Sequence, residues 1–235
     1  MEVVNAIVLK NARFVERQRV IHLFSLERGF LSMITPSLAG KREGTRVMEV
    51  AEVEYAGGTR GGLYSLRSAR TTVNTNAISL DVFKMNIALL WGEALCLLLR
   101  HEGKNKALYD YLCRSVEYLN AAGDDAANFN LFFFYRLCDL LGLRVDASSY
   151  REGYFFDPRQ GRFCPSPSPA GGTVGPRAAG IICRLCVDPL SSVGDIPLSR
   201  QGRAMLLDVV FSFIGYHLDV NFDTKSIRVI REVFS

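Results

Sequence analysis

The sequence predicts an α+β chain of more than one domain. A small β-barrel occupies residues 1–76, and an all-α helical bundle with an irregular Pro/Gly-rich insert at about 153–195 occupies residues 77–235. Three observations predict it. Up to roughly residue 70, apolar and polar residues alternate in short runs, the period of strands; from Ser79 the apolar residues recur every three to four positions, the period of helices. Between Gly153 and Asp195, prolines such as Pro158, Pro165, Pro167, Pro169 and Pro176, with glycines such as Gly161, Gly171 and Gly172, interrupt both periods.

The first strands are expected at residues 3–10, 19–26 and 30–35, with Glu27-Arg28-Gly29 turning between the last two. Residues 47–55 and 63–69 follow as the fourth and fifth, separated by a loop that Gly57-Gly58 and Gly61-Gly62 punctuate. Five short strands without an intervening long helix fit an oligonucleotide-binding (OB) barrel, with an SH3-like barrel or half of a sandwich as alternatives. Phe83, Ile87, Leu90, Trp91, Ala94, Leu95 and Leu98 make the first helical stripe, for which Ser79 or Asp81 supplies a cap. Leu108, Leu112, Val116 and Leu119 make the second, ending near Gly123. Residues 128–141 make a third that is apolar around most of its circumference and belongs at a bundle centre, so the aromatics Phe129, Phe132, Phe133, Phe134 and Tyr135 are packing residues. Within the insert, residues 154–157 and 162–164 suit a hairpin. Helix resumes after Ser199, and a last short helix is expected from Asp223-Thr224 to Phe234.

Charge is distributed unevenly. Residues 1–75 hold 11 Lys and Arg against 7 Asp and Glu, whereas the remainder is balanced at 17 of each, so the whole excess of +4 sits on the barrel. Concentrated charge sums within a Debye length and attracts a polyanion, which makes nucleic acid the first partner to consider. Arg13, Arg17 and Arg19 fall in or beside the first connection between strands, Lys41, Arg42 and Arg46 in the third, and Arg67 and Arg70 near the end of the barrel. Cations there suit phosphate contact through counterion release. Arg200, Arg203 and Lys225 extend the candidate set into the C-terminal helices. Stacking partners are sparse, for Phe14, Phe24, Phe30, Tyr55 and Tyr64 are the barrel's candidates and most are expected in its core; binding led by the backbone and tolerant of sequence follows.

Other chemistry is excluded by what is missing. There is no phosphate loop, dinucleotide glycine fingerprint, Gly-x-Ser-x-Gly or His-Glu-x-x-His, and His22, His101 and His217 lie in unrelated contexts, so no enzyme is expected. Cys164, Cys183 and Cys186 offer three thiolates to zinc, but a closed site needs four ligands; no metal or other cofactor is therefore expected, with those three cysteines as the alternative. Cys96, Cys113 and Cys138 fall in apolar helical pattern and read as buried thiols. Glu2 and Asn5 interrupt any signal peptide, and the apolar run ending at Leu99 contains Glu93 and is too short for a bilayer, so a soluble cytoplasmic protein with no membrane partner is expected.

The order of these parts resembles the RecO family of bacterial recombination mediators. The resemblance is carried by "AIVLKNARFVERQRVIHLFSLERGFLSMI" from Ala6, "LRSAR" at 66–70, "ANFNLFFFYRLCDLLGL" from Ala127 and "KSIRVIREVF" from Lys225. Two features depart from the family pattern. The basic loop after the third strand reads Thr35-Pro-Ser-Leu-Ala-Gly-Lys41-Arg42, with fewer and displaced charges, and the first Cys-x-x-Cys of a four-cysteine zinc module is absent around residues 147–151. The resemblance implies a non-enzymatic, nucleoid-associated role in recombinational repair: binding single- and double-stranded DNA, annealing complementary strands and, with RecR, promoting RecA loading on strands coated by single-stranded DNA-binding protein. The alternative is a protein-interaction adaptor whose basic barrel binds little DNA.

Overall fold

Five strands close into a barrel in the order β1-β2-β3-β5-β4: β1 (Glu2–Val15), β2 (Gln18–Ser25), β3 (Gly29–Pro36), β4 (Val50–Ala56) and β5 (Tyr64–Thr71). The computed structural model describes residues 1–15, 18–36, 44–58, 62–224 and 227–228. All barrel pairs are antiparallel except β3 with β5, where Met33 aligns with Tyr64 and Ile34 with Ser65. Closure through one parallel pair is the OB arrangement that the strand count predicts. Val4, Ala6 and Val8 of β1 point inward with Ile21, Leu23, Leu31, Met33, Ala51, Val53, Tyr55 and Leu66 to form the interior core.

Among the described residues three β-bulges shape the barrel, each inserting one residue that the partner strand does not match. They lie between Val8 and Lys10, between Arg13 and Val15, and on β5 opposite the step from Glu54 to Tyr55. The extra residues are Leu9, Phe14 and Arg67. Bulges bend a strand and re-aim a side chain, which is why β1 runs well past Lys10, where the alternation predicts its end.

Helices α1 (Asn76–Leu80), α2 (Val82–Leu98) and α3 (Lys106–Ala121) belong to the same compact unit as the barrel, Met1–Ala121. Asp81 separates α1 from α2 in an extended conformation and caps α2, its carboxylate accepting from the backbone N–H of Phe83 (2.8 Å) and Lys84 (3.1 Å). Helix α2 packs on β1. Gly92 makes the approach possible, because a Cβ there would overlap the Leu9 carbonyl oxygen and stand 3.0 Å from Val47 Cγ1. Lys10 Nζ reaches Glu93 across the same contact at 2.8 Å.

The turn from Arg46 to Glu49 closes on a buried acid. Glu49 is fully buried and accepts from the Arg46 backbone N–H (2.8 Å), its Nη2 (2.9 Å) and the Thr71 hydroxyl (2.9 Å). Burial alone would raise the Glu49 pKa, but the hydrogen bonds from Arg46 and Thr71 outweigh it and hold the carboxyl below its ordinary value. A depressed carboxylate contributes stability above its unfolded-state pKa and loses it as pH falls through the folded one.

The second unit, Ala122–Ser235, is built around α4 (Ala126–Leu140). As its all-round apolar sequence predicts, Phe129, Phe132, Phe133, Phe134 and Tyr135 are all buried. The insert is more ordered than its prolines imply. It contains the expected hairpin, β6 (Phe155–Asp157) with β7 (Arg162–Cys164), and a helix, α5 (Pro176–Val187), with Pro176 in its first turn, where proline is favourable. Arg136 of α4 donates to the carbonyls of Cys186 and Asp188 (2.7 Å for the latter), satisfying the C-terminal end of α5. Helix α6 (Arg200–Leu218) starts at Ser199, whose hydroxyl accepts from the Gly202 N–H at 3.0 Å. Of the last predicted helix, Ile227 and Arg228 are helical and the rest lies largely outside the described residues.

Candidate nucleic-acid interface

One end of the barrel gathers basic residues from four segments distant in sequence. Antiparallel pairing puts Arg13 of β1 opposite Arg19 of β2, and Arg19 opposite Thr35 of β3. The segment returning to β4 reaches the same end: Asn11 Nδ2 donates to the Thr45 carbonyl at 2.9 Å, and Gly44 packs against Ala69 and Arg70 of β5. Arg13, Arg19, Arg46 and Arg70 therefore share one rim. At the opposite end, Arg28 is paired with Glu2 at 2.9 Å and the Glu27 carboxylate accepts from Asn5.

The rim cations differ in how free they are. Arg19 is half-buried and structural, donating from Nε to Asn11 Oδ1 (2.6 Å) and from Nη2 to the Asn11 carbonyl (3.0 Å). Arg46 is held by Glu49, and Arg70 pairs with Glu52 on β4 at 3.0 Å. Among the described residues, Arg13 and Arg67 are exposed and their side chains make no ion pair or hydrogen bond. Among the described residues no acid compensates their charge, which leaves it available for counterion release on phosphate binding. Arg17, Lys41, Arg42 and Lys225 lie outside the described residues.

Beside Arg46, Thr71, Thr72, Asn74, Thr75 and Asn76 line a polar cavity of about 380 Å³. Of the aromatic candidates, Phe24 is buried on β2 outside the barrel core, Tyr55 is buried within that core, Tyr64 packs against it and Phe30 stacks on His22 at 5.6 Å between ring centroids. Phe14 is different, at 57% exposed.

The remaining predicted residues lie in the second unit. Arg200 is exposed at the start of α6, and Arg203 is half-buried with Nη1 donating to the Leu198 carbonyl at 2.7 Å. Cys183 and Cys186 are on α5, and Cys164 ends β7, where its thiol meets the Phe155 carbonyl at 3.7 Å. Burial pushes the Cys186 thiol up to about 12 and raises Cys183 as well, so in the metal-free protein both are protonated. Among the described residues no group of three His, Cys, Asp or Glu side chains is placed to hold a metal ion. No described helix is long and apolar enough to cross a membrane.

Comparison with known proteins adds an independent line. The family model for the C-terminal part of recombination protein O matches residues 79–226. The DNA repair protein RecO of Phocaeicola vulgatus is 25% identical over 97% of each chain, that of Porphyromonas gingivalis strain W83 is 28% identical over 91% of each, and that of Flavobacterium psychrophilum is 25% identical over 98% of each. The alignments to these relatives also span the barrel, which the family model does not cover.

Proposed function

The chain belongs to the RecO family, and from that premise we propose that it acts in DNA repair as a recombination mediator that binds single- and double-stranded DNA and anneals complementary strands. With RecR it promotes RecA loading on strands coated by single-stranded DNA-binding protein. The supporting observation is the gathering of Arg13, Arg19, Arg46 and Arg70 on one rim of an OB barrel, with Arg13 there and Arg67 on β5 unpaired among the described residues.

In this reading residues 1–76 form the DNA-binding module, and residues 77–235 form the helical part with its insert at about 153–195. Arg13 and Arg67 contact phosphates directly, together with Arg17, Lys41 and Arg42. Arg70 joins them by exchanging its partner Glu52 for phosphate, while Arg19 and Arg46 hold the rim in shape and add to its field. Arg200, Arg203 and Lys225 serve the DNA or a protein partner. The protein works in the cytoplasm at the nucleoid.

Annealing needs no covalent step, and none is assigned to this chain. Cations that hold phosphates screen the repulsion between two strands, and a backbone-led grip leaves base edges free to pair. The test is annealing of two labelled complementary oligonucleotides, first bare and then coated with single-stranded DNA-binding protein. The protein is expected to accelerate pairing in both cases, and raised salt to abolish the effect. Annealing at the spontaneous rate at every salt concentration would favour the adaptor reading.

A further inference from the structure

Phe14 is placed where a core residue would not be. It is the unmatched residue of the bulge between Arg13, which pairs with Arg19, and Val15, which pairs with Gln18. The bulge breaks the in–out alternation of β1, and the ring stands 57% exposed immediately after Arg13, which has no ion pair among the described residues. Bulges re-aim side chains at binding sites, and an exposed aromatic beside an exposed guanidinium combines the two elements of a single-strand site: a face for a base and a charge for the adjoining phosphate.

We propose that Phe14 is a stacking platform for an unpaired nucleobase, with Arg13 holding the neighbouring phosphate, and that the stacked base adds affinity for single-stranded DNA that a duplex does not gain. The proposal rests on the DNA-binding reading and deepens it. A base inside a duplex has both faces covered by its neighbours, so stacking on Phe14 is available only to a strand whose bases are splayed; Arg13, by contrast, meets phosphates of either form. Phe14 thus discriminates and Arg13 does not. Sequence-tolerant binding is retained, because every base has a π face.

The test compares wild type, Phe14→Ala and Phe14→Trp on three labelled probes of equal length: oligo-dT, an abasic strand with the same backbone, and a duplex. Loss of one stacked base weakens binding by roughly five- to a hundredfold. Phe14→Ala is expected to lose affinity in that range for oligo-dT and none for the abasic strand or duplex. Phe14→Trp is expected to restore oligo-dT binding, with its indole emission quenched on oligo-dT and unchanged on the abasic strand. Equal affinity of Phe14→Ala and wild type for oligo-dT overturns the stacking role while leaving phosphate binding intact, as does an equal loss on all three probes. Failure of wild type itself to bind any probe overturns both this proposal and the DNA-binding reading.

Discussion

Gly92→Ala should destabilise the protein by about 2 kcal/mol, the range expected when a well-packed contact is overfilled. The sign is what makes the experiment informative. Gly92 lies in the interior of α2, where replacing glycine by alanine ordinarily stabilises a helix by about 1 kcal/mol. Here the added methyl meets the backbone carbonyl of Leu9, the bulged residue of β1, and approaches Val47 Cγ1. A backbone oxygen cannot swing aside as a long side chain does, so α2 must lift from the barrel or the bulge must deform. Thermal unfolding followed by circular dichroism should show the loss as a lower midpoint. A midpoint unchanged or raised would mean that α2 does not seat on β1 through Gly92.

Arg46→Ala should also cost stability, by about 1–3 kcal/mol, the penalty typical of a buried polar group deprived of a partner. The sequence presents Arg46 as one of three cations in an exposed glycine-flanked loop, whose charge would act on ligand more than on folding. The structure gives it a second task, since its guanidinium neutralises the buried Glu49. Without it the Glu49 carboxyl keeps its burial and loses the largest of the contributions that depress its pKa, so Glu49 no longer withdraws stability on acidification: the variant's deficit against wild type should be widest near pH 7 and narrow as pH falls. Arg46→Ala with Glu49→Gln should recover part of the loss, because a neutral amide tolerates the site better than an unpaired carboxylate. Unfolding midpoints of wild type and the two variants across pH 3 to 7 provide the measurement; a deficit of Arg46→Ala that stays constant across that range would contradict the coupling.

The architecture is legible in the sequence because its signals are periodic. Alternation locates all five strands, and the change of period at Ser79 locates the start of the helices, since burying one face of a strand or one stripe of a helix imposes those patterns directly. What escapes is aperiodic. Leu9, Phe14 and Arg67 are bulge residues, and a bulge is a register mismatch between two strands that neither strand reveals alone. For that reason the sequence groups Phe14 with residues mostly expected in the core. Helix α5 is obscured by the glycines and prolines around it, although Ala179, Ile182 and Leu185 make its buried stripe. The candidate site is legible as composition, since charge density points to the barrel, but not as pairing. That Arg46 and Arg70 face Glu49 and Glu52 while Arg13 and Arg67 face no acid among the described residues depends on the turn that folds Arg46 onto Glu49 and on the β4–β5 register that sets Arg70 opposite Glu52.

The central claim, that exposed cations on this barrel grip the phosphate backbone of single-stranded DNA, is tested most directly by the salt dependence of binding. Affinity for a labelled oligo-dT should be measured from low to physiological salt for wild type and for the double variant Arg13→Ala, Arg67→Ala. Because neither side chain has a partner among the described residues, the variant should unfold at the wild-type temperature. Its plot of log affinity against log salt should be shallower by about 1.4, roughly 0.7 for each phosphate that the variant no longer neutralises. A wild-type slope near zero, or a folded double variant with an unaltered slope, would contradict the account.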